Sequence, residues 1–239
     1  MTSQERASST RPQDATSTLV IAVDGPSGSG KSTVARGIAR KLNLRYLDTG
    51  AMYRAMTWWM LQYGVDVTDP NAVAARTGKP RMDMDTDPDA PGIRVDGDDV
   101  SEPIRTREVS NAVSAVSAVP SVRRQLNALQ RIIMAGGGIV VEGRDIGTVV
   151  AKDAPVKVFL TASDEVRAQR RANDLVADPE ATVEVTQAEM SRRDKLDSTR
   201  AAAPLEKASD AVEIDSTSMS ADEVVDEVLQ LVNERIGAS

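Results

Sequence analysis

Eight consecutive residues constrain this chain more than any others: Gly25-Pro26-Ser27-Gly28-Ser29-Gly30-Lys31-Ser32. They follow the apolar run Leu19-Val20-Ile21-Ala22-Val23, which suits a strand buried on both faces. A helical pattern comes next, with Val34, Ile38 and Leu42 on one face. Strand, turn and helix at the spacing G-x-x-x-x-G-K-[ST] predict a phosphate-binding loop. Gly28 and Gly30 let the backbone take positive φ and approach an anion closely. Successive N–H groups then turn inward around phosphate oxygens, and the helix adds the positive end of its dipole. Lys31 is placed to reach β- and γ-phosphates, and the Ser32 hydroxyl to ligate Mg²⁺. Gly25, Pro26, Ser27, Ser29 and Thr33 complete the candidate loop. The bland alternative is a glycine-rich turn between two core elements. A chance match in a chain this long is on the order of one in a hundred, and the flanking strand and helix reduce it further.

The residues that are missing narrow the chemistry. The 239-residue chain has no cysteine and no histidine. Disulfides, thiolate nucleophiles and Cys-based metal sites are excluded, and with them imidazole general bases and His-ligated zinc. Lys, Arg, Asp, Glu, hydroxyls and an oxygen-bound metal remain. Phosphoryl transfer suits that set, because it depends mainly on positioning and charge neutralisation. The formal net charge is -7, against the basic footprint of a nucleic-acid binder. Anionic substrates therefore require positive charge to be concentrated locally. No run of about 18 apolar residues predicts a membrane span, and residues 1–17 lack the apolar core of a signal peptide. The expected setting is the cytoplasm. Aromatics are 3%, so the core must rest on Val, Ile, Leu, Ala and Met.

Residues 1–17 are rich in Ser, Thr, Gln and Arg without periodicity and read as a disordered tail. Residues 44–47 predict a second strand, which runs into Asp48-Thr49-Gly50-Ala51-Met52-Tyr53-Arg54. Polar groups just past a strand end are where open α/β sheets hold ligands; the plainer reading is that Thr49 caps the next helix. Met56, Trp59, Met60 and Tyr63 then form a helical stripe expected in the core. Residues 64–99 change character, with many Asp, Pro and Gly, short strand fragments and a hairpin turn at Gly97-Asp98. They read as an insertion. Asp83, Asp85, Asp87 and Asp89 lack the Gly and terminal Glu of a calcium loop and read as a solvated acidic segment.

Helical stripes follow at Val109, Val113 and Val116, and at Val122, Leu126, Leu129, Ile132 and Ile133 beyond Pro120. Residues 139–141 predict a strand ending in Glu142-Gly143-Arg144-Asp145-Ile146-Gly147, again with charge past a strand end. Residues 156–160 are a fourth strand, followed by a helix with Arg167, Arg170 and Arg171. A polar stretch with a break at Asp178-Pro179 leads to Arg192, Arg193, Asp194, Asp197 and Arg200. Taken alone, those charges read as solvated helices with i,i+4 ion pairs. Residues 211–215 are a fifth strand, and Ser220 with Glu223 forms a capping box opening a last helix. Repeated β-α units with one insertion predict an α/β fold, a parallel sheet covered on both faces by helices.

The ordered set Asp24 through Ser32, Leu47 through Arg54, Ile104-Arg105-Thr106, Gly143 through Val150, Arg167 through Arg171, and Arg193 through Leu205 resembles the bacterial cytidylate kinases, of the P-loop nucleoside monophosphate kinase group. The resemblance covers about residues 18–236. It implies a five-stranded parallel sheet within one domain over 18–239, a monophosphate-binding insertion at about 65–118 and a short lid at about 172–192. It implies transfer of the ATP γ-phosphate to CMP or dCMP with Mg²⁺, by a monomer with no nucleic-acid or membrane partner. By analogy Lys31, Arg144, Arg193 and Arg200 are catalytic, and Arg170 joins the loop in binding ATP. Asp48, Thr49 and Tyr53 line the acceptor pocket, while Arg54, Arg144 and Arg193 hold its phosphate. Ser101, Arg105 and Asp145 read the cytosine, and Asp197 and Arg200 lie near the sugar and the transferring phosphates.

The chemistry of the base agrees. A carboxylate accepts from cytosine N4 but meets an acceptor, O4, in uracil. The guanidinium fork suits phosphate because it binds two oxygens and stays charged. The sequence departs from many relatives in the gap between Arg193 and Arg200, which here holds Lys195, Leu196, Ser198 and Thr199, and in Glu142, where some have Asp. Two other readings remain open on the residues alone. One is a kinase for a different small acceptor on the same scaffold. The other is a nucleotide switch, which would need the N-K-x-D run that this chain lacks.

Overall fold

The computed structural model describes residues 17–174 and 182–237. The tail expected over 1–17, except Ser17, and the 175–181 part of the expected lid, with the break at Asp178-Pro179, lie outside the described residues. Strand β1 (Val20–Asp24) enters the glycine turn and helix α1 (Lys31–Leu42). Strand β2 (Arg45–Asp48) leads to α2 (Thr49–Gln62). Helix α3 (Pro70–Arg76) and strands β3 (Met82–Met84), β4 (Ile93–Val95) and β5 (Asp98–Asp99) follow. Next come α4 (Arg107–Ser117), α5 (Pro120–Met134) and β6 (Ile139–Gly143). Strand β7 (Val156–Thr161), α6 (Asp164–Asp174), α7 (Val183–Thr199), β8 (Val212–Asp215) and α8 (Ala221–Gly237) complete the chain.

Five of the strands form the central sheet in the order β2-β6-β1-β7-β8. All four neighbouring pairs are parallel. The β1 side chains alternate between two cores, as a pleated strand must. Ile21 and Val23 pack with α1 and α8, beside Ile38, Val225 and Val228. Ala22 faces α2, α4 and α5, beside Met52, Val116 and Leu126. With only one Phe in the chain, Met52, Met56 and Met60 supply much of the bulk on the second side. Because the sheet is parallel, Asp24, Asp48 and Gly143 all arrive at one edge, and every loop that follows opens there.

The segment between α2 and α4 builds a separate three-stranded antiparallel sheet, β3-β4-β5. Its hairpin turn is Asp96-Gly97, with φ of 54° and 98°, one residue earlier than the expected Gly97-Asp98. Positive φ at both central residues matches the right-handed twist of the flanking strands. Asp96 takes that φ because its carboxylate is held twice, by the Arg81 N–H (2.9 Å) and the Trp59 indole N–H (2.9 Å). The second bond fastens the small sheet to α2.

Several local expectations are corrected. Helix α3 is unannounced by any apolar stripe; Asp69 caps it and Pro70 starts it. Asp48, not Thr49, caps α2, accepting the Ala51 N–H at 2.8 Å. Tyr63 ends α2 and is 64% exposed, its ring against Trp59 rather than in the core. Ile132 is 71% exposed. The acidic segment is solvated as expected: Asp89 pairs with Arg40 on α1 at 2.6 Å. No helix among the described residues is long and apolar enough to cross a membrane.

Candidate active site

A cavity of about 870 Å³ opens at the carboxyl edge of the sheet. One half is the phosphate loop. Gly28 and Gly30 take φ of 73° and 89°, and the space at Gly28 is closed as well: a Cβ there would lie 2.6 Å from Met190 Cε and 2.7 Å from the Arg167 carbonyl oxygen. Lys31 is buried, and its ammonium donates to the Pro26 carbonyl oxygen (2.6 Å) and to Ser29 Oγ (3.3 Å). Burial, then the Arg144 cation, pushes Lys31 down to about 7, against the pull of Glu142. Ser27, Gly28, Ser29, Gly30, Ser32 and Thr33 line the cavity; Gly25 and Pro26 do not. Arg170 is held on the same side by Ser216, through Oγ (3.0 Å) and the carbonyl oxygen (2.8 Å).

Ser32 Oγ donates to Glu142 Oε2 at 3.0 Å, and Tyr46 donates to the other oxygen of the same carboxylate. Glu142 is buried, and desolvation, with the Asp48 charge, raises its affinity for a proton. No group of three or more Asp or Glu side chains placed to hold a metal occurs among the described residues. A hard divalent cation at the loop would therefore rely on Ser32, Glu142 and nucleotide phosphates. These are all-oxygen donors, the set Mg²⁺ prefers.

The other half is built from side chains. Asp48 pairs with Arg54 at 2.8 Å. Burial works against the Asp48 carboxylate, but Arg54 and the Ala51 N–H outweigh it and hold it below the usual range. Thr49 Oγ1 donates to the Glu142 carbonyl oxygen at 2.7 Å, and Tyr53 OH to Asn127 Oδ1 at 3.1 Å. Arg123, from α5, is buried, lies 5.3 Å from the Tyr53 ring centre and pairs with Asp145. Arg200 reaches the same carboxylate at 3.5 Å. Asp197 receives Ser114 Oγ (3.2 Å), Arg144 (3.4 Å) and Arg200 (3.7 Å). Asp24 fastens this wall to the sheet: its oxygens accept the Ile146 and Gly147 N–H groups at 2.9 and 2.8 Å, at the start of the wide helical turn Ile146–Val150. Burial raises Asp24 to about 6 against those two hydrogen bonds.

Between the halves, like charges crowd. Desolvation, then Arg144, pushes Arg193 down to about 9, with Arg54 and Arg171 adding to it. Lys31 feels Arg144 and Arg193 as well. Cations held together in a protein whose net charge is -7 form a site that an anion stabilises.

The cytidylate kinase family model matches residues 21–234. The chain belongs to the cytidylate kinase family. A cytidylate kinase of Streptomyces avermitilis is 53% identical over 222 residues, covering 92% of this chain and 95% of that protein. One from Geobacillus kaustophilus is 49% identical over 220 residues, covering 92% and 98%. Among solved structures, a shikimate kinase from Acinetobacter baumannii in complex with shikimate aligns over 93% of this chain and 98% of its own, at 20% identity and a TM-score of 0.45.

Most residues singled out from the resemblance to cytidylate kinases meet in this cavity: Lys31, Arg54, Arg144, Asp145, Arg193, Asp197 and Arg200 all line it. Arg105 lines it too, and one residue expected at the base lies elsewhere. Ser101 is not on the wall; its hydroxyl accepts the Ile93 N–H at 3.1 Å and closes the small sheet. Arg105 reaches the rim, exposed, with its Nε donating to the Ser101 carbonyl oxygen at 3.2 Å. The groups that meet Asp145 and Asp197 from this side are Arg123 and Ser114, which sequence reasoning missed. A signal existed. Arg123, Asn127 and Gln130 form a polar row at helical spacing beside the apolar stripe of α5, and all three are buried.

Proposed function

We propose that this member of the cytidylate kinase family transfers the ATP γ-phosphate to CMP or dCMP, giving CDP or dCDP. The observation that carries the reading is the Asp145–Arg123 pair, buried across one cavity from the phosphate loop with the arginine cluster between. Backbone N–H groups of the loop and Lys31 take the β- and γ-phosphates of ATP. Phosphate contact returns the Lys31 ammonium to its charged form, because an adjacent anion favours the cation. Mg²⁺, held by Ser32, Glu142 and phosphate oxygens, neutralises charge on the transferring group. Arg54, Arg144 and Arg193 hold the acceptor phosphate. Asp145 accepts from cytosine N4, Arg123 donates to N3 or O2, and Tyr53 lies beside the ring. Asp197, Arg200 and Ser114 face the sugar.

An acceptor phosphate oxygen then attacks the γ-phosphorus in line, and the bond to the ADP oxygen breaks. The nucleophile is already an anion near neutral pH, so no general base is needed. That fits a chain without histidine. Residues 65–118 serve as the acceptor-side insertion and residues 172–192 as the lid, in a monomeric cytoplasmic enzyme. A coupled ADP-release assay with MgATP tests the reading against CMP, dCMP, UMP, AMP, GMP and shikimate. Fast turnover with CMP and dCMP and weak turnover with UMP is expected. Preference for another acceptor would overturn the base-reading assignment, and ADP release independent of any acceptor would overturn the kinase reading.

A further inference from the structure

One carboxylate that this chemistry does not use ties the phosphate loop to helix α7. Asp194 Oδ1 accepts the Ser27 N–H at 3.1 Å, and its Oδ2 accepts Arg167 Nη1 at 2.5 Å. The same Nη1 donates to the Ser27 carbonyl oxygen at 2.8 Å, closing a ring of three residues. Asp164 holds the other Arg167 nitrogen at 2.5 Å. Burial opposes the Arg167 cation, but the hydrogen bonds to Asp164 and Asp194 outweigh it. Met190, one turn earlier on α7, packs on Gly28 of the same loop. Asp194 itself does not line the cavity.

Helix α7 carries Arg193 and Asp197 at i and i+4, on one face toward the acceptor half, and Arg200 follows directly as its C-cap residue. A helix moves as a unit, and its register against the loop therefore sets Arg193 and Asp197 together and the point from which Arg200 leaves the helix. We propose that Asp194 is a positioning residue that couples the two nucleotide sites: ordering of Ser27 around donor phosphates fixes α7, and through it the acceptor contacts, and the reverse. This rests on the donor and acceptor sites assigned above. Such coupling is reciprocal and typically 5–150-fold.

The test measures the affinity of a non-hydrolysable MgATP analogue without and with saturating CMP, and of CMP without and with the analogue. In the unaltered protein each ligand is expected to tighten the other by the same factor, at least about 5-fold. Asp194→Asn keeps an acceptor for Ser27 but removes the charge that holds Arg167. Its expected signature is near-normal affinity for each ligand alone, a coupling factor close to one, and a fall in kcat that exceeds any change in either KM. Arg167→Lys, which loses the fork but keeps a cation, should retain part of the coupling and serves if the first variant does not fold. An Asp194→Asn protein with lower thermal stability but unchanged coupling would reduce the residue to a structural role and overturn the inference. So would two nucleotides binding the unaltered protein independently, an outcome that leaves the functional reading intact. Absence of CMP binding to the unaltered protein would overturn both.

Discussion

The two halves of the cavity recruit their hydrogen-bond donors in different ways. The proposed donor half is one contiguous turn that offers mostly backbone N–H groups, so its requirement is conformational: positive φ at Gly28 and Gly30, and no side chain at Gly28, which packs on Met190 and the Arg167 carbonyl. The acceptor half is assembled from side chains on α2, α4, α5, the turn after β6, and α7. Its requirement is a correct tertiary structure, because Arg123 and Asp145, or Ser114 and Asp197, meet only after folding. A local device tolerates changes elsewhere in the molecule. A dispersed one concentrates its risk in buried charge pairs.

That contrast can be broken by experiment. The largest effect is expected from Arg123→Met. Leaving Asp145 buried with its closest cation removed should cost about 3–5 kcal/mol in urea denaturation and raise KM for CMP while KM for ATP holds. Unaltered stability would mean that Arg200 alone suffices and that the pair does not organise the acceptor half. Lys31→Met should lower kcat by about 10²–10³-fold with the fold retained, since it replaces a buried cation by an apolar chain of similar length. Near-normal turnover in this variant would remove Lys31 from the charge-stabilising role.

Asp145→Asn should reduce the CMP-over-UMP ratio of kcat/KM by about 10-fold or more; a constant ratio would end its role as base reader. A smaller effect sharpens the electrostatic side of the comparison. Free Lys31 titrates near 7, so at pH 8 it is mostly neutral and bound phosphates must recharge it. MgATP binding should then take up close to one proton at pH 8 and almost none at pH 6, measured by calorimetry in buffers of different ionisation enthalpy. The pH 8 uptake should vanish in Lys31→Met. The least effect is expected from Ile132→Ser, within about 0.5 kcal/mol and with normal turnover, because that side chain stands in solvent.

The same contrast explains what the sequence disclosed. The inner strands β1, β6 and β7 are legible as largely apolar runs, because strands covered on both faces leave few polar positions; the edge strands β2 and β8 carry charged residues and show only short apolar cores, Tyr46-Leu47 and Val212 with Ile214. The phosphate loop is legible because its geometry is local. Helix α3 was hidden: it buries one large side chain, Val73, and is specified by its cap and Pro70 rather than by periodicity. Tyr63 lies just past the end of α2, and Ile132 stands on the solvent side of α5, whose covered face continues to the buried Met134. Arg105, given to the base by analogy, lines the exposed rim of the cavity, next to Ile104, which turns inward. Taken alone, Arg123 is one charge on an amphipathic helix. Only the fold shows that its side of α5 is covered.

The bond between the Trp59 indole and Asp96 bears on how this protein can be watched. The chain has two tryptophans, Trp58 and Trp59, neighbours on α2, and one of them is fastened to the hairpin of the small sheet. Tryptophan emission therefore arises from α2 where it meets the small sheet, behind the cavity wall. It follows any shift of that sheet against α2, with no dye attached, and reports nothing directly from the glycine turn. A light signal that changes with acceptor and not with donor would read out one half of the cavity in the unmodified molecule.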